Sequence, residues 1–358
     1  MTQYTVWVLT PDYERTAILA NTATSRDWAG LSYKIALDDM GSCTLDIVPS
    51  SDKIQYLQPY YRLQVYRDGV LMWGGMLSDD AFEVPETAPQ GETYTVSALD
   101  YTCYAQWRRV IPPAGQEQDR RAGTPQDVAK DFVYYHVGAG ASAARRFVDL
   151  TVAPTGGGIP RIVEEARYDN LLTLLQKLAG NGFHWRFVPL TLGCEFRTAT
   201  VWGQDRRKGC GGEECIFSLD RHSVTSLKYS FALAEHRNYL YVAGQGQGID
   251  RNIQEVSDSA AIAAYGLRED FVDANQLTLT SSLIAKGQAT LVEKAPTEEL
   301  TITPTTGMFG RAWGLGDLVT VRHAQYGRTF EVNACIQAVD VTVGEAGVEY
   351  ATPTLVAI

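Results

Sequence analysis

Three glycines at a spacing of two, followed by an arginine, form the pattern that most resembles a binding loop. They are Gly244, Gly246 and Gly248, and the arginine is Arg251. A dinucleotide-binding loop needs the spacing G-x-G-x-x-G between a strand and a helix, and a P-loop ends in Gly-Lys-Ser/Thr. Neither pattern is complete here, and alternating glycines are typical of a turn with positive φ. We therefore predict a structural turn anchored by Arg251 and no bound cofactor.

A close pair of cysteines is the second candidate for chemistry. Cys210 and Cys215 have four residues between them, and His222 is the only histidine nearby. This spacing lies at the edge of what zinc ligands use. We favour a glycine-tipped hairpin with free thiols, and a local disulfide and a metal half-site stay open. The sequence shows no export signal, so we expect all six cysteines to be reduced.

The remaining candidates for catalysis do not complete a motif. Glu235 and His236 lack the second histidine of H-E-x-x-H, and no G-x-S-x-G occurs. A pair of glycosidase carboxylates among the 42 acidic residues is the enzymatic alternative that stays open. We expect no catalytic site and no metal site. The five histidines are scattered along the chain at His136, His184, His222, His236 and His323.

Two adjacent arginines, Arg108 and Arg109, could contact phosphate. No stripe of alternating aromatic and basic residues accompanies them, so a domain seam or a solvated face is the favoured interpretation. They follow a short predicted helix in which Leu99, Cys103 and Trp107 are spaced by four residues. That spacing predicts that the three side chains face a core.

Composition limits the class of protein. The 358 residues suggest two to four domains, and the apolar share of 45% is ample for folded cores. A net charge of −11 argues against a nucleic-acid-binding surface, which would be basic. No run approaches the ~20 apolar residues of a transmembrane helix, so we expect no membrane anchor.

The elements that must position these residues are mainly strands. Alternating residues at 31–37 and 41–48, and a hairpin at 61–73 with an Arg67-Asp68-Gly69 turn, predict a sandwich or barrel. A similar hairpin at 318–338, with a turn at 325–327, suggests an internal duplication, although hairpins are common enough for coincidence.

Besides the short helix before Arg108 and another short helix that Asp258 begins and Gly266 ends, longer helices are predicted in three places. Thr124 and Pro125 begin one, Asp169 begins a second that Gly180 ends, and an aromatic strand at 183–187 follows it. A third helix is predicted at 281–294, and the residues in line along it are Ile284, Gln288 and Leu291.

The stretch around the glycines resembles a known family. Asn238 precedes a strand, the glycines and Arg251 follow, and then Tyr265-Gly266-Leu267-Arg268-Glu269. This arrangement is similar to the C-terminal half of siphophage tail hub proteins. These tail-tip hubs are related to the N-terminal part of tail-associated lysins and to the baseplate hubs of contractile tails. The resemblance extends over residues 31–355 and includes Trp73-Gly74-Gly75.

The resemblance implies a β-rich, multidomain α+β fold. Residues 1–102 would form a first β-barrel like those of tail tubes, and residues 103–220 an α+β insert of one or two small subdomains. Residues 221–358 would form a second tube-like barrel with a connecting helix.

The resemblance also implies a function. The protein would be a homotrimeric hub that closes the distal end of a phage tail tube and forms part of the DNA-ejection channel, where DNA passes transiently without specific binding. Its partners would be the distal tail protein, the tape measure protein and receptor-binding or fibre proteins. It would be made in the host cytoplasm and reside at the virion tail tip. The alternatives are a tail-tip cell-wall hydrolase, or the hub of a related injection machine or gene-transfer particle.

Overall fold

Strands make up most of the ordered structure. The computed structural model describes residues 2–22, 25–83, 93–159, 161–325, 328–344 and 347–358. The first elements are β1 Tyr4–Leu9, β2 Arg15–Ala20, β3 Trp28–Ala36, β4 Ser42–Ile47, β5 Arg62–Arg67, β6 Val70–Glu83, β7 Thr93–Asp100, α1 Cys103–Gln106, β8 Asp119–Gly123, α2 Pro125–His136, β9 Leu150–Val152 and β10 Ile162–Ala166. They are followed by α3 Leu171–Ala179, β11 His184–Pro189, β12 Cys194–Ala199, β13 Ile216–Phe217, β14 Val224–Ala232, β15 Tyr239–Ala243, β16 Ile253–Ser257, α4 Ser259–Tyr265, β17 Glu269–Asp273, α5 Thr280–Glu293, β18 Thr297–Pro304, β19 Leu318–Gln325, β20 Arg328–Val343 and β21 Glu349–Ala357.

The chain divides into two units that are described separately. The first contains residues 1–227 and 302–358, and the second contains residues 228–301. Both boundaries fall within β14 and β18, which pair with each other as a two-stranded sheet.

An 11-stranded sheet dominates the first unit. Its order is β13-β19-β20-β3-β4-β7-β6-β5-β1-β2, and β21 pairs with β20. The two ends of the chain meet where β20 pairs with β3, with Val341 opposite Tyr33. Strand β20, which has different neighbours along its length, therefore joins N-terminal and C-terminal strands in one sheet.

Strand β5 is buried on both faces because the insert covers one of them. Leu63 and Val65 face the core of the sheet and are fully buried. Arg62 and Gln64, on the other face, are 8% and 0% exposed. The Gln64 Nε2 donates to the carbonyl of Leu190, 3.0 Å away, at the tip of a hairpin of the insert. Polar residues on this strand therefore fix the insert to the sheet.

The insert is built around a hydrophobic core that also includes Met76 of β6. Helix α2 begins with Thr124, whose hydroxyl accepts from the Asp127 N–H, and Pro125 follows at the first helical position. Helix α3 begins after Asn170, which caps it in the same way. The two helices pack on strands β11 and β12, and the aromatic residues at the centre are Phe132, Trp185, Phe187 and Phe196.

The second unit is a three-stranded sheet with one helix packed on it. The order is β16-β15-β17, with β15 and β17 parallel. Helix α5 covers one face, and the buried residues there include Leu240, Val242 and Leu283.

The structure confirms the β-rich α+β class, the hairpin of β5 and β6, the three longer predicted helices and the short helix that Asp258 begins. Hairpin β19–β20 is also present, although the turn predicted at 325–327 includes residues outside the described ranges. Within those ranges no sheet closes into a barrel. The prediction that Trp107 faces a core is wrong: α1 ends at Gln106, and Trp107 is 42% exposed.

Candidate functional surfaces

The glycine-rich turn of the second unit follows strand β15. Gly246 has φ +117° and Gly248 has φ +57°, both in the region that favours glycine. Arg251 Nε donates to the Gly244 carbonyl at 2.9 Å, and its Nη2 donates to the Ala243 carbonyl at 3.2 Å. The same guanidinium also pairs with Asp273. The four predicted residues thus lie together, and the donors of Arg251 are directed at the protein's own carbonyl and carboxylate groups.

The face of this sheet that α5 does not cover carries aromatic rings and carboxylates. We call Tyr239, Tyr241, Glu255, Glu269 and Phe271 the carboxylate face. The Tyr241 hydroxyl donates to Glu269 Oε1 at 2.9 Å, and the hydroxyl of Tyr239 donates to Glu255. That second bond, with the charge of Glu255, raises the pKa of Tyr239 to about 12. Phe271 is 53% exposed.

The cysteine pair lies in an irregular segment. Cys215 is buried, and Cys210 is partly exposed and accepts from the Gly212 N–H at 3.4 Å. Burial raises the pKa of the Cys215 thiol to about 12, so this thiol is protonated at neutral pH. All six cysteines are free thiols in the structure. Among the described residues no group of three or more histidine, cysteine or acidic side chains is arranged to hold a metal ion.

The histidines lie apart and do not form one cluster. His136 and Asp119 are both buried, with Nε2 and Oδ2 2.7 Å apart, and Arg121 Nε lies 2.7 Å from the other carboxylate oxygen. Burial lowers the pKa of His136, although the bond to Asp119 opposes this effect. His236 Nδ1 lies 3.0 Å from the Lys294 carbonyl oxygen. The His136–Asp119 pair joins α2 to β8, which is a structural role.

A buried cluster that the sequence did not suggest joins the insert to the sheet. The Asp149 carboxylate accepts from Tyr104 at 2.7 Å and from Tyr13, and Arg62 Nη2 lies 3.4 Å away. Tyr13 has φ +66° in the turn between β1 and β2. Burial raises the pKa of both phenols well above the usual range, so they are protonated donors. The members come from distant parts of the chain, which is why no spacing in the sequence revealed them.

A second buried cluster joins the two ends of the chain. Glu349, at the start of β21, accepts from Tyr4 at 2.5 Å and from Arg67 Nη2 at 2.9 Å. Arg67 also donates to the Phe309 carbonyl at 3.0 Å, and its guanidinium lies 5.3 Å from the centre of the Phe309 ring. The side chains of Arg67 and Glu349 are 13% and 5% exposed. This ion pair therefore fixes β21 against β5 and β1.

Comparison with known proteins gives one family and several solved structures. The family model described as Siphovirus ReqiPepy6 Gp37-like protein matches residues 5–355. Comparison with curated protein sequences found no match. None of the described helices has both the length and the apolar character needed to cross a membrane.

The solved structures show a shared fold at low sequence identity. The 43 kDa tail protein of prophage MuSo2 from Shewanella oneidensis is 15% identical with a TM-score of 0.61, over 99% of this chain and 98% of that one. A tail protein from Neisseria meningitidis is 12% identical with a TM-score of 0.57, over 99% and 96%. A chain of a Francisella PdpA–VgrG complex is 10% identical with a TM-score of 0.51, over 100% of this chain and 58% of that one.

Proposed function

Because this chain belongs to the Siphovirus ReqiPepy6 Gp37-like protein family, we propose that it is a structural tail protein that resides in the virion. The observation that carries the proposal is the fold shared over nearly the whole length with two phage or bacterial tail proteins. The clusters described above support it, since their donors and acceptors are directed at one another. The protein is not an enzyme in this proposal.

The finer proposal is a homotrimeric hub that closes the distal end of a tail tube. Residues 1–102 and 221–358 would act as two tube-like modules, with residues 103–220 as an insert between them. The 11-stranded sheet supports two modules because β1–β7 come from the first range and β19–β21 from the second. Three copies of a two-module chain would match the sixfold symmetry of a tube, and closed rings are the ordinary form of such assemblies.

Passage of DNA requires that the lining of the channel does not hold the phosphates. A protein that neutralised many phosphates would hold DNA in a salt-dependent way. A chain with a net charge of −11 can instead present carboxylates that repel phosphate. We propose transient DNA passage without specific binding. The neighbours at the tail tip would be the distal tail protein, the tape measure protein and receptor-binding or fibre proteins.

Light scattering over a range of concentrations, followed by electron microscopy of negatively stained particles, tests the hub. We expect a trimer and a ring with a central opening. A protein that stays monomeric at the highest concentration would contradict the ring. Tight binding of a short DNA duplex at physiological salt would contradict the conduit.

Two alternatives have their own tests. A second candidate is the hub of a related injection machine or of a gene-transfer particle; the fold is also shared with a chain of the PdpA–VgrG complex. The genes that flank this one would distinguish it from a phage tail. Release of soluble fragments from purified peptidoglycan would instead indicate a tail-tip cell-wall hydrolase.

A further inference from the structure

Four arginines and a tryptophan form an exposed group on the insert. We call Trp107, Arg108, Arg109, Arg145 and Arg146 the arginine patch. Arg108 Nε donates to the Arg145 carbonyl at 3.1 Å, and Arg145 Nη2 donates to the Arg109 carbonyl at 2.5 Å. These bonds hold two separate chain segments together, so that their positive charges lie side by side.

The patch lacks counter-charge. Within the described ranges, no carboxylate lies at ion-pair distance from any of its four arginines. Burial lowers the pKa of Arg108, and burial together with the charge of Arg108 lowers that of Arg145. Two other arginines of the insert are paired, Arg120 with Glu165 and Arg121 with Asp119. The patch therefore concentrates positive charge that an acidic partner could neutralise.

Aromatic rings pack against the arginines of the patch. The Arg108 guanidinium lies 4.5 Å from the centre of the Phe147 ring, and that ring stacks on Tyr104 at 3.7 Å. Trp107 is 42% exposed beside it, 6.4 Å from Phe147 between ring centres. Tryptophan and arginine are the residue types that contribute most to protein interfaces.

The carboxylate face of the second unit has the complementary chemistry. Glu255 and Glu269 accept from tyrosine hydroxyls, and in the described part of the chain neither pairs with a cation. Tyr239 and Tyr241 add half-buried rings, and Phe271 adds an exposed ring that already lies 5.6 Å from the Arg251 guanidinium of the same chain. A cyclic assembly of more than two copies needs two different, complementary surfaces on each copy. The arginine patch and the carboxylate face are such a pair.

We propose that the arginine patch of one copy binds the carboxylate face of a neighbouring copy. This inference rests on the proposed trimer and adds the contact that closes it. It assigns the patch to a protein partner. Four arginines could also attract nucleic acid, and the test distinguishes that alternative.

Charge reversal in the 358-residue chain tests the contact. The first variant, Arg109→Glu with Arg146→Glu, changes the patch at its two most exposed arginines. The second, Glu255→Arg with Glu269→Arg, changes the face. We expect each variant to weaken trimer formation by at least about a hundredfold, because each leaves like charges opposed. The variant with all four substitutions is expected to recover association.

The controls distinguish failure of the proposed contact from failure of the proposed trimer. Arg221→Glu reverses an equally exposed arginine outside the patch and is expected to leave association unchanged. Thermal unfolding of every variant checks that it is folded. A monomeric wild type would overturn both the proposed hub and the contact. A trimeric wild type whose two double variants stay trimeric would overturn the contact alone, as would failure of the fourfold variant to recover.

Fluorescence anisotropy with a short labelled DNA duplex tests whether the arginine patch binds nucleic acid instead. We expect no binding by the wild type at physiological salt. Binding that is lost in Arg109→Glu with Arg146→Glu would overturn the assignment to a second copy and identify the patch as a nucleic-acid surface.

Discussion

At the level of single residues, the buried charges of the two clusters matter because their partners come from distant parts of the chain. Asp149 illustrates this: its side chain is 10% exposed, and it accepts from two tyrosines beside Arg62. Removing one member of such a group leaves the others without their partner in a region that water barely reaches.

Replacing Asp149 with asparagine should therefore destabilise the first unit. The substitution keeps the size of the side chain, removes the charge opposite Arg62 and weakens acceptance from Tyr13 and Tyr104. We expect the free energy of unfolding to fall by about 3 kcal/mol. Urea unfolding measures it, and Asp12→Asn, at an exposed position, is the control. A loss as small as that of the control would contradict a stabilising role for the cluster.

The pair of His184 and Asp38 makes stability depend on pH. Nδ1 and Oδ2 lie 2.6 Å apart, and this bond, with a smaller contribution from Cys335, raises the pKa of His184 to about 10. A raised pKa means that the folded chain holds the proton more tightly than the unfolded chain, whose value is about 6.5. The stabilisation by the protonated His184 is complete below the pKa of the unfolded chain and is lost as the pH rises through about 10.

The difference in unfolding free energy between wild type and His184→Gln should thus shrink as the pH rises. We expect about 2 kcal/mol at pH 6, after allowance for partial exposure, and less than half of it near pH 10. Urea unfolding at both pH values measures this difference. His222→Asn changes an exposed histidine and is the control. A difference that stays constant with pH would show that the histidine acts through packing alone.

At the level of elements, the turn after β15 depends on backbone conformation. A Cβ on Gly246 would lie 3.0 Å from the Arg251 Cα, and φ is +117° there. Nothing lies within 4 Å of a Cβ on Gly248, whose φ of +57° asparagine tolerates.

We therefore expect Gly246→Ala to destabilise the second unit by about 1–3 kcal/mol, and Gly248→Asn to change it little. Hydrogen exchange of the β15 and β16 amides reports on this unit directly. If Gly246→Ala folded normally but lost binding of a nucleotide, the prediction of a structural turn would be wrong.

The sequence predicted elements better than it predicted their partners. Local signals were sufficient for the Asp68-Gly69 hairpin and for the Thr124-Pro125 helix start. Helix α5 was predicted, but it buries Leu283, Gly287 and Thr290. The predicted line of Ile284, Gln288 and Leu291 is one residue away. A Cβ on Gly287 would lie 2.6 Å from Val256 Cγ2, so this glycine allows a close approach that hydrophobic periodicity does not register.

Pairings between distant segments were beyond what the sequence pattern could predict. Strands β8 and β10 pair through short, charged segments such as Arg120 opposite Glu165 and Arg121 opposite Glu164, which lack the apolar alternation of a strand. The arginine patch was noticed only as Arg108 and Arg109. Arg145 and Arg146 approach them through folding, and nothing in their spacing indicated it.

At the level of the whole molecule, the first unit contains residues 1–227 and 302–358, and the second is an insertion that begins within β14 and ends within β18. The insertion begins and ends at neighbouring positions. Thr225 Oγ1 donates to the Thr303 carbonyl at 3.2 Å, and Ser226 Oγ donates to Thr303 Oγ1 at 2.8 Å. A short linker can therefore connect Leu227 to Ile302, and it would replace the second half of β14 and the first half of β18.

Replacing residues 228–301 with Gly-Asn-Gly should give a folded first unit that no longer forms trimers. We expect folding because the core of the sheet and of the insert lies in the residues that remain. We expect loss of trimers because the carboxylate face is removed while the arginine patch is kept. Circular dichroism with thermal unfolding measures the first outcome, and light scattering measures the second. A trimeric product would contradict the proposed contact, whereas an unfolded product would show that the first unit needs the second for its stability.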